Sequence, residues 1–281
     1  LDASTTAESN TAIGWTALGA ATTGGYNTAV GSDAGAAITT GASNVAIGYL
    51  ALDATTTASY NTAVGTSALS ANTTGASNTA LGQSSLESNT TASHNIAIGV
   101  SCMANNTTGA ENTAMGNYAL DANTTGAYNV AMGVHALGAN TTAANNVAVG
   151  YQAMTANTTG AQNTAVGMNA GKSITTATYS TYLGYNAGGS NTGAQNVFLG
   201  GNAGGAGGGT DGTNVVIGAD AGYSGSGAGG NTFVGFHAGL VISTGDLNTA
   251  VGYAAGDELT SGGNNTFLGN NAGTADSPSG A

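Results

Sequence analysis

Residues 10–14 read Asn-Thr-Ala-Ile-Gly, and the pattern returns as Asn-Thr-Ala-Val-Gly at 27–31 and as Asn-Val-Ala-Ile-Gly at 44–48. Sixteen copies follow one another along the 281 residues, spaced by 17 residues apart from one spacing of 16 and one of 18. A fixed short period is typical of solenoids, in which each repeat forms one coil and only stacked coils bury a continuous core. We number each repeat from its Asn, which is position 1.

Each repeat has the length and composition of one β-coil. Seventeen residues are too few for two helices and a turn, and the recurring glycines disfavour a helix. The β-branched residues at positions 2 and 4 favour a strand. We predict an all-β fold, a parallel β-solenoid (β-roll) of about 16 coils of 17 residues over residues 10–273, between a lead-in at 1–9 and a tail at 274–281. Each coil should contain a short strand, a turn, a second short strand and a return loop, and the stack should be roughly 75 Å long.

Two nearly constant positions indicate the turns of the coil. Position 5 is glycine in all sixteen copies, which indicates a bend or a positive φ that a side chain does not tolerate. Position 1 is Asn in fifteen copies, and we expect its amide to form a ladder along the coils that satisfies backbone groups at the turn. The turn and ladder residues singled out here are Asn10, Gly14, Asn27, Gly31, Asn61, Gly65, Asn129 and Gly133.

Both faces of the predicted strand are apolar. Position 4 is always Ile, Val, Leu or Met, as at Ile13, whereas position 3 points to the opposite face and is Ala as far as Ala165. A strand with one face in water should carry charged residues there, and neither face does. We therefore expect one face to lie inside the coil and the other against a second copy of the chain.

Side chains become smaller at position 9 and larger at position 3 along the chain. Position 9 is mostly Leu or Met up to Met154 and always Gly from Gly171 onward, and large side chains appear at position 3 almost in step. Protein cores keep a nearly constant packing density. We therefore expect the two positions to pack together, within a coil or across a subunit boundary, with Phe198 and Gly204 as the example pair.

The composition excludes several classes of function. Lys and Arg total 1 against 13 Asp and Glu, which gives a formal net charge of −12. A single basic side chain cannot neutralise a row of phosphates, so nucleic acid is not an expected partner. No apolar run approaches the roughly 20 residues of a membrane-spanning helix, so no membrane insertion is expected. The single Cys102 excludes an intramolecular disulfide framework.

The titratable side chains form no catalytic or metal-binding pattern. Asp257 and Glu258 are neighbours on a predicted return loop, where a solvated turn explains them. The three histidines, His94, His135 and His237, lie at different repeat positions or in distant coils. The sequence contains no recognisable Ser-His-Asp or Cys-His grouping. We predict a protein that is not an enzyme, with no catalytic residue, no metal site and no cofactor.

Position 17 is the most variable, and as far as residue 128 it carries a ring in every second coil, at Tyr26, Tyr60, His94 and Tyr128. The rings should be about 9.5 Å apart. Two interpretations stay open. The rings form a stripe that binds a polysaccharide such as a cell-surface glycan, or they are the large members of an alternating large-and-small packing pattern on a lateral surface.

The threonine-rich return loop has two further interpretations. Consecutive threonines such as Thr124 and Thr125 are compatible with an ice-binding surface, which requires both hydroxyls in a regular exposed plane. Asn-Thr-Thr also matches the glycosylation acceptor pattern, although turn chemistry explains it more simply, because Asn and Thr side chains cap local backbone groups. The six Asn-Thr-Thr tripeptides begin at Asn72, Asn89, Asn106, Asn123, Asn140 and Asn157.

The run Asn-Thr-Ala-Met-Gly-Asn-Tyr-Ala-Leu-Asp-Ala-Asn-Thr-Thr-Gly at 112–126 resembles repeats of bacteriophage tail fibres and bacterial surface proteins. In many of those proteins the repeats precede an endosialidase-type intramolecular chaperone domain. The run is also similar to the left-handed β-roll heads of YadA-type trimeric adhesins, whose motif runs Asn-x-Val/Ala-Ile-Gly. The resemblance extends from about residue 10 to residue 273, and the unit here is longer than that of the adhesin heads. It implies a homotrimer of parallel coils on a virion or cell surface.

Together these observations predict a structural protein, a rigid trimeric shaft in an extracellular filament, phage tail fibre or surface adhesin. Its main partner is itself, as a homotrimer and also end to end in a filament, because a bare solenoid end is an open strand edge. The alternative is a glycan-binding or receptor-binding adhesin that uses the position-17 rings. An ice-binding solenoid is the third interpretation.

Overall fold

A computed structural model describes residues 3, 5–206, 212–225, 229–241 and 244–274. These residues form strands, turns and bends and contain no helix. The chain divides into two compact units, Leu1–Asn146 and Val147–Ala281. Each unit is a parallel β-solenoid with one strand per coil, which confirms the predicted all-β solenoid. Of the predicted tail, only residue 274 is described.

Every strand has three residues and occupies positions 2–4 of its repeat. The first unit contains β1 (Thr11–Ile13), β2 (Thr28–Val30), β3 (Val45–Ile47), β4 (Thr62–Val64), β5 (Thr79–Leu81), β6 (Ile96–Ile98), β7 (Thr113–Met115) and β8 (Val130–Met132). The second unit contains β9 (Val147–Val149), β10 (Thr164–Val166), β11 (Thr181–Leu183), β12 (Val197–Leu199), β13 (Val215–Ile217), β14 (Thr232–Val234), β15 (Thr249–Val251) and β16 (Thr266–Leu268).

Neighbouring strands within a unit pair in parallel, one coil apart. Thr11 pairs with Thr28 and Ile13 with Val30 at the start of the first unit. The partner of each strand residue is therefore the residue at the same repeat position in the next coil. Equal coil lengths place equivalent side chains in columns along the unit.

The prediction of a second short strand in each coil is wrong for the described residues. The chain instead turns repeatedly between positions 5 and 12, with left-handed backbone at Tyr118 (φ 58°) and Leu120 (φ 51°). These turns still bond to the adjacent coil, as where the Leu120 N–H donates to the Ala136 carbonyl at 3.0 Å. The sequence does not predict these turns, because large residues such as Tyr and Leu rarely adopt a left-handed backbone.

Glycine at position 5 is required by both conformation and space. Gly116 has a φ of 138°, and a Cβ built on it would lie 2.6 Å from the carbonyl of Gly133 in the next coil. The backbones of successive coils therefore approach one another too closely at this corner for any side chain. The other position-5 glycines singled out from the sequence share this backbone, at Gly14, Gly31, Gly65 and Gly133.

Small and aliphatic side chains fill the interior of each coil in the first unit. Ala114 at position 3, Ala119 at position 8 and Leu120 at position 9 are all fully buried. Position 4 points outward, and its side chains are half-buried or exposed, as at Met115, which is 40% exposed. The alanine face of the strand thus lies inside the coil, and the face with the larger apolar residues lies outside.

Several coils of the second unit fill the same interior with larger side chains at position 3. Tyr182 and Phe198 are buried and meet edge to face with ring centroids 5.7 Å apart. A Cβ on Gly204 would lie 2.8 Å from the Phe198 ring, and Gly188 lies against the ring of Tyr182 in the same way. Glycine at position 9 therefore makes room for a ring of the same chain.

Candidate functional site

The position-1 asparagines form a ladder of amides inside the coils of each unit. The side-chain Nδ2 of Asn95 donates to the Gly109 carbonyl at 2.9 Å, which joins the start of the coil to its return loop. Its Oδ1 accepts from the backbone N–H of Asn112 at 2.9 Å, which joins one coil to the next. The amide thus acts as donor within the coil and acceptor between coils, and a carboxylate cannot supply both.

The predicted ladder residues have this geometry in the first unit. The backbone N–H of Asn27 donates to Asn10 Oδ1 at 2.8 Å, and Asn27 Nδ2 donates to the Gly41 carbonyl at 2.9 Å. Asn61 Nδ2 donates to Gly75 O and Asn129 Nδ2 to Ala143 O, both at 2.9 Å. Asn10 is half-buried, and the other three are almost fully buried.

A serine continues the ladder at the single exception to the Asn pattern. Ser180 donates its backbone N–H to Asn163 Oδ1 at 3.0 Å, and its hydroxyl oxygen accepts from the backbone N–H of Asn196 at 3.2 Å. Asn196 Nδ2 bonds to the Asn191 side chain and to the Gly193 carbonyl. The hydroxyl therefore replaces the acceptor function of the missing amide.

A second ladder, formed by the Asn-Thr-Thr asparagines at position 12, lies beside the first. Asn106 Nδ2 donates to the Gly109 carbonyl at 3.0 Å and to Asn89 Oδ1 at 3.0 Å. The Gly109 carbonyl thus accepts from two side-chain amides, those of Asn95 and Asn106. All six Asn-Thr-Thr asparagines have no exposed surface. The folded chain therefore does not present them for glycosylation.

The outer face of the strands is an uncharged surface with a column of apolar side chains that runs through each unit. Position 2 is Thr, Val or Ile and position 4 is Ile, Val, Leu or Met in all sixteen coils, so neither column contains a charge. Several position-4 side chains are substantially exposed, among them Ile47 at 38% and Leu81 at 46%. Monomeric soluble proteins rarely expose a long contiguous apolar surface. We call the outward side chains of positions 2 and 4 the strand face.

Exposed rings lie beyond both ends of the strand, at positions 17 and 6. The four position-17 residues singled out from the sequence all lie in the first unit, have left-handed backbone and are exposed: Tyr26, Tyr60, His94 and Tyr128. Position 6 carries Trp15 and Tyr49 in the same unit, and both are exposed. The side chains of Tyr26, Tyr60 and Tyr128 each keep more than half of their surface open, at 67%, 68% and 57%.

The paired threonines differ in their use of the hydroxyl. Thr124 Oγ1 donates to the Thr141 carbonyl of the next coil at 3.0 Å, and its side chain is half-buried. Thr125 is exposed. The two threonines of this pair therefore differ in exposure, whereas Thr73 and Thr74 of another coil are both exposed.

Polar side chains at position 7 of the second unit interact from coil to coil, and our sequence analysis did not identify them. Asn186 Nδ2 donates to Asn202 Oδ1 at 3.2 Å, and Asn202 Nδ2 donates to Asp220 Oδ1 at 3.0 Å. His237 Nε2 lies 3.8 Å from Asp220 Oδ2, and its ring stacks on Phe236. Grouping the sequence by repeat position would have indicated the series, because position 7 is polar in six consecutive coils of the second unit, from Gln152 to His237.

Burial controls the ionisation of the few titratable groups inside the coils. Desolvation raises the pKa of the Cys102 thiol to about 12, so the thiol stays protonated at neutral pH. Desolvation also raises the pKa of the Asp53 and Asp121 carboxyls above its ordinary value. Within the described ranges no three His, Cys, Asp or Glu side chains group as a metal site.

No protein-family model matches this chain, and no curated protein matches it with significant sequence similarity. In the part of the chain that the structure describes, no helix is long and apolar enough to span a bilayer. The candidate functional surfaces are therefore defined by the geometry alone: the strand face and the position-17 rings beside it.

Proposed function

We propose that the protein is a non-enzymatic structural segment of an extracellular fibre, in which three copies associate side by side to form a rigid shaft. The observation that carries the proposal is the strand face, which has an apolar residue at position 4 and no charge in every coil, and which remains partly open to solvent in a single chain. Burying this surface between chains removes apolar area from water along the whole length of each unit.

The occupant that fits the strand face best is another copy of the same chain. A partner must present apolar groups at the same interval of one per coil, about 4.8 Å, to match every position-4 side chain. A parallel copy of this chain satisfies that condition, because its own position-4 side chains recur once per coil. The resemblance to tail-fibre and trimeric adhesin repeats supplies the number of three copies and the location on a virion or cell surface.

The internal ladders support a mechanical role. Backbone bonds and side-chain amides join each described coil to its neighbour within a unit, as at Asn95 and Asn112. Repeats that interact mainly with their neighbours transmit load along the stack. Titratable groups are scarce, at 5% charged residues, which supports a structural role over catalysis.

Light scattering on the purified chain tests the assembly. We expect a mass of about three chains for the unaltered protein. Leu81→Lys places a charge on the strand face and should give single chains with unchanged circular dichroism. Thr91→Lys is the matched control, because Thr91 is exposed in the same region of the first unit but outside the strand face. A single-chain mass for the unaltered protein would refute the proposal.

A further inference from the structure

The position-17 rings of the first unit form a regularly spaced row, and the fold of a single chain does not require it. The row consists of Tyr26, Tyr60, His94 and Tyr128, and we call it the ring row. The intervening coils carry Ser43 or another non-aromatic residue at the same place and with the same left-handed backbone. Asn and Gly adopt this conformation more readily than aromatic residues do. The rings therefore need another explanation than folding.

The backbone holds the ring row at a fixed interval. The N–H of Tyr60 donates to Ala42 O at 3.1 Å, and the N–H of Tyr128 donates to Ala110 O at 3.2 Å, so each ring residue is bonded to the preceding coil. Adjacent coils are one strand spacing apart, which places successive rings about 9.5 Å apart. None of the four rings stacks on another described ring. Their faces are therefore open and already positioned before any ligand arrives.

We propose that the ring row binds an extended, uncharged polysaccharide, with one ring per disaccharide unit. In an extended polysaccharide with two sugars per turn, successive sugars face opposite ways, so the same C–H face recurs once per disaccharide. That recurrence is close to the two-coil spacing of the rings. Aromatic faces suit the apolar faces of sugars, and the small Ser43 and Ser77 between the rings leave space for the chain and hydroxyls to bond its oxygens.

Charge selects the class of polysaccharide. The chain carries a net charge of −12 with a single basic residue, Lys172, and Glu111 lies between His94 and Tyr128 at position 17. A polyanionic sugar chain would be repelled by this surface and would find no Lys or Arg along the row. An uncharged polymer avoids this repulsion. The inference does not depend on the trimeric assembly, because the row lies within one unit of one chain.

Co-sedimentation of the full chain with insoluble polysaccharide tests the inference, with cellulose and chitin as uncharged probes and cross-linked polygalacturonate as the anionic one. We expect binding to cellulose or chitin and none to polygalacturonate. Removing two rings in Tyr60→Ala/Tyr128→Ala should weaken binding at least about tenfold. Tyr49→Ala/Tyr118→Ala removes two exposed rings of the same unit outside the row and should bind like the parent.

A register variant tests the spacing directly. Tyr60→Ser/Ser77→Tyr keeps the composition but moves one ring by one coil, and it should lose affinity about as much as the removal of that ring. Light scattering on the same samples measures the assembly separately from binding. The inference is overturned if cellulose and chitin do not bind, if polygalacturonate binds equally well, or if the register variant binds like the parent. Dissociation of the trimer in Tyr60→Ala/Tyr128→Ala would also overturn it and assign the rings to a subunit contact.

Discussion

Replacing one ladder asparagine by aspartate exchanges the side-chain amide nitrogen for an oxygen and tests the role assigned to the amide. Asn95 has no exposed surface, its Nδ2 donates to the Gly109 carbonyl, and its Oδ1 accepts from the Asn112 N–H. An ionised aspartate would keep the acceptor but place a carboxylate oxygen against the Gly109 carbonyl oxygen. The nearby Asn78 supplies no positive charge, and the only Lys of the chain is Lys172.

The stability that Asn95→Asp loses can be calculated from the linkage between protonation and folding. Burial without a cation raises the pKa of the new carboxyl by about 3–5 units, so the folded chain binds a proton that the unfolded chain has released. The folded state therefore loses stability as the pH rises above about 3.9. At pH 7 the loss amounts to about 4 kcal/mol, and at pH 4 it falls to about 0.5 kcal/mol. The protonated acid can also donate to the Gly109 carbonyl and so restores the missing bond.

Denaturant unfolding of the variants at pH 7 and pH 4 measures this dependence, at one protein concentration because association shifts the midpoint. Asn95→Asp should be strongly destabilised at pH 7 and close to the parent at pH 4. Asn95→Ala leaves the Asn112 N–H without its acceptor and should lose about 1–3 kcal/mol at both pH values. Asn117→Asp adds the same charge at an exposed site and is the control. Equal stability of Asn95→Asp and the parent at pH 7 would refute the ladder argument.

Three further predictions concern the packing of the coils. Gly116→Ala should lower the free energy of unfolding by at least about 2 kcal/mol in thermal unfolding, because its φ of 138° and the carbonyl 2.6 Å from the new Cβ both oppose a side chain. Gly201→Ala is the control and should be nearly neutral, because no atom lies within 4 Å of its new Cβ. Gly204→Leu should overpack the ring of Phe198 by about 1–3 kcal/mol, and adding Phe198→Ala should recover much of the loss; strictly additive effects would contradict this contact. The Cys102 thiol, buried and with its pKa raised to about 12, should resist maleimide at pH 8 until denaturant unfolds the chain; rapid labelling of the folded protein would show that the interior is open.

The alternation of residues along the strand does not determine which of its two faces lies inside the coil. Alternation separates Ala114 from Thr113 and Met115 but does not indicate which set faces inward, because neither set carries a charge. In the structure Ala114 is buried and Met115 is 40% exposed. In the first unit the narrow interior of the coil is already occupied by positions 8 and 9, so the smaller side chain lies inside.

The repeat period, the parallel all-β stack and the position-1 and position-5 residues were readable from the sequence, because equal spacing places equal residues in columns whatever the coil geometry. Only the tertiary structure decided the path between positions 5 and 12, where left-handed Tyr118 and Leu120 replace the expected second strand. It also brought Asn95 and Asn106, eleven residues apart, to the same Gly109 carbonyl. Such convergence depends on how the coil closes, because Asn95 and Gly109 are 14 residues apart and no local pattern places them together.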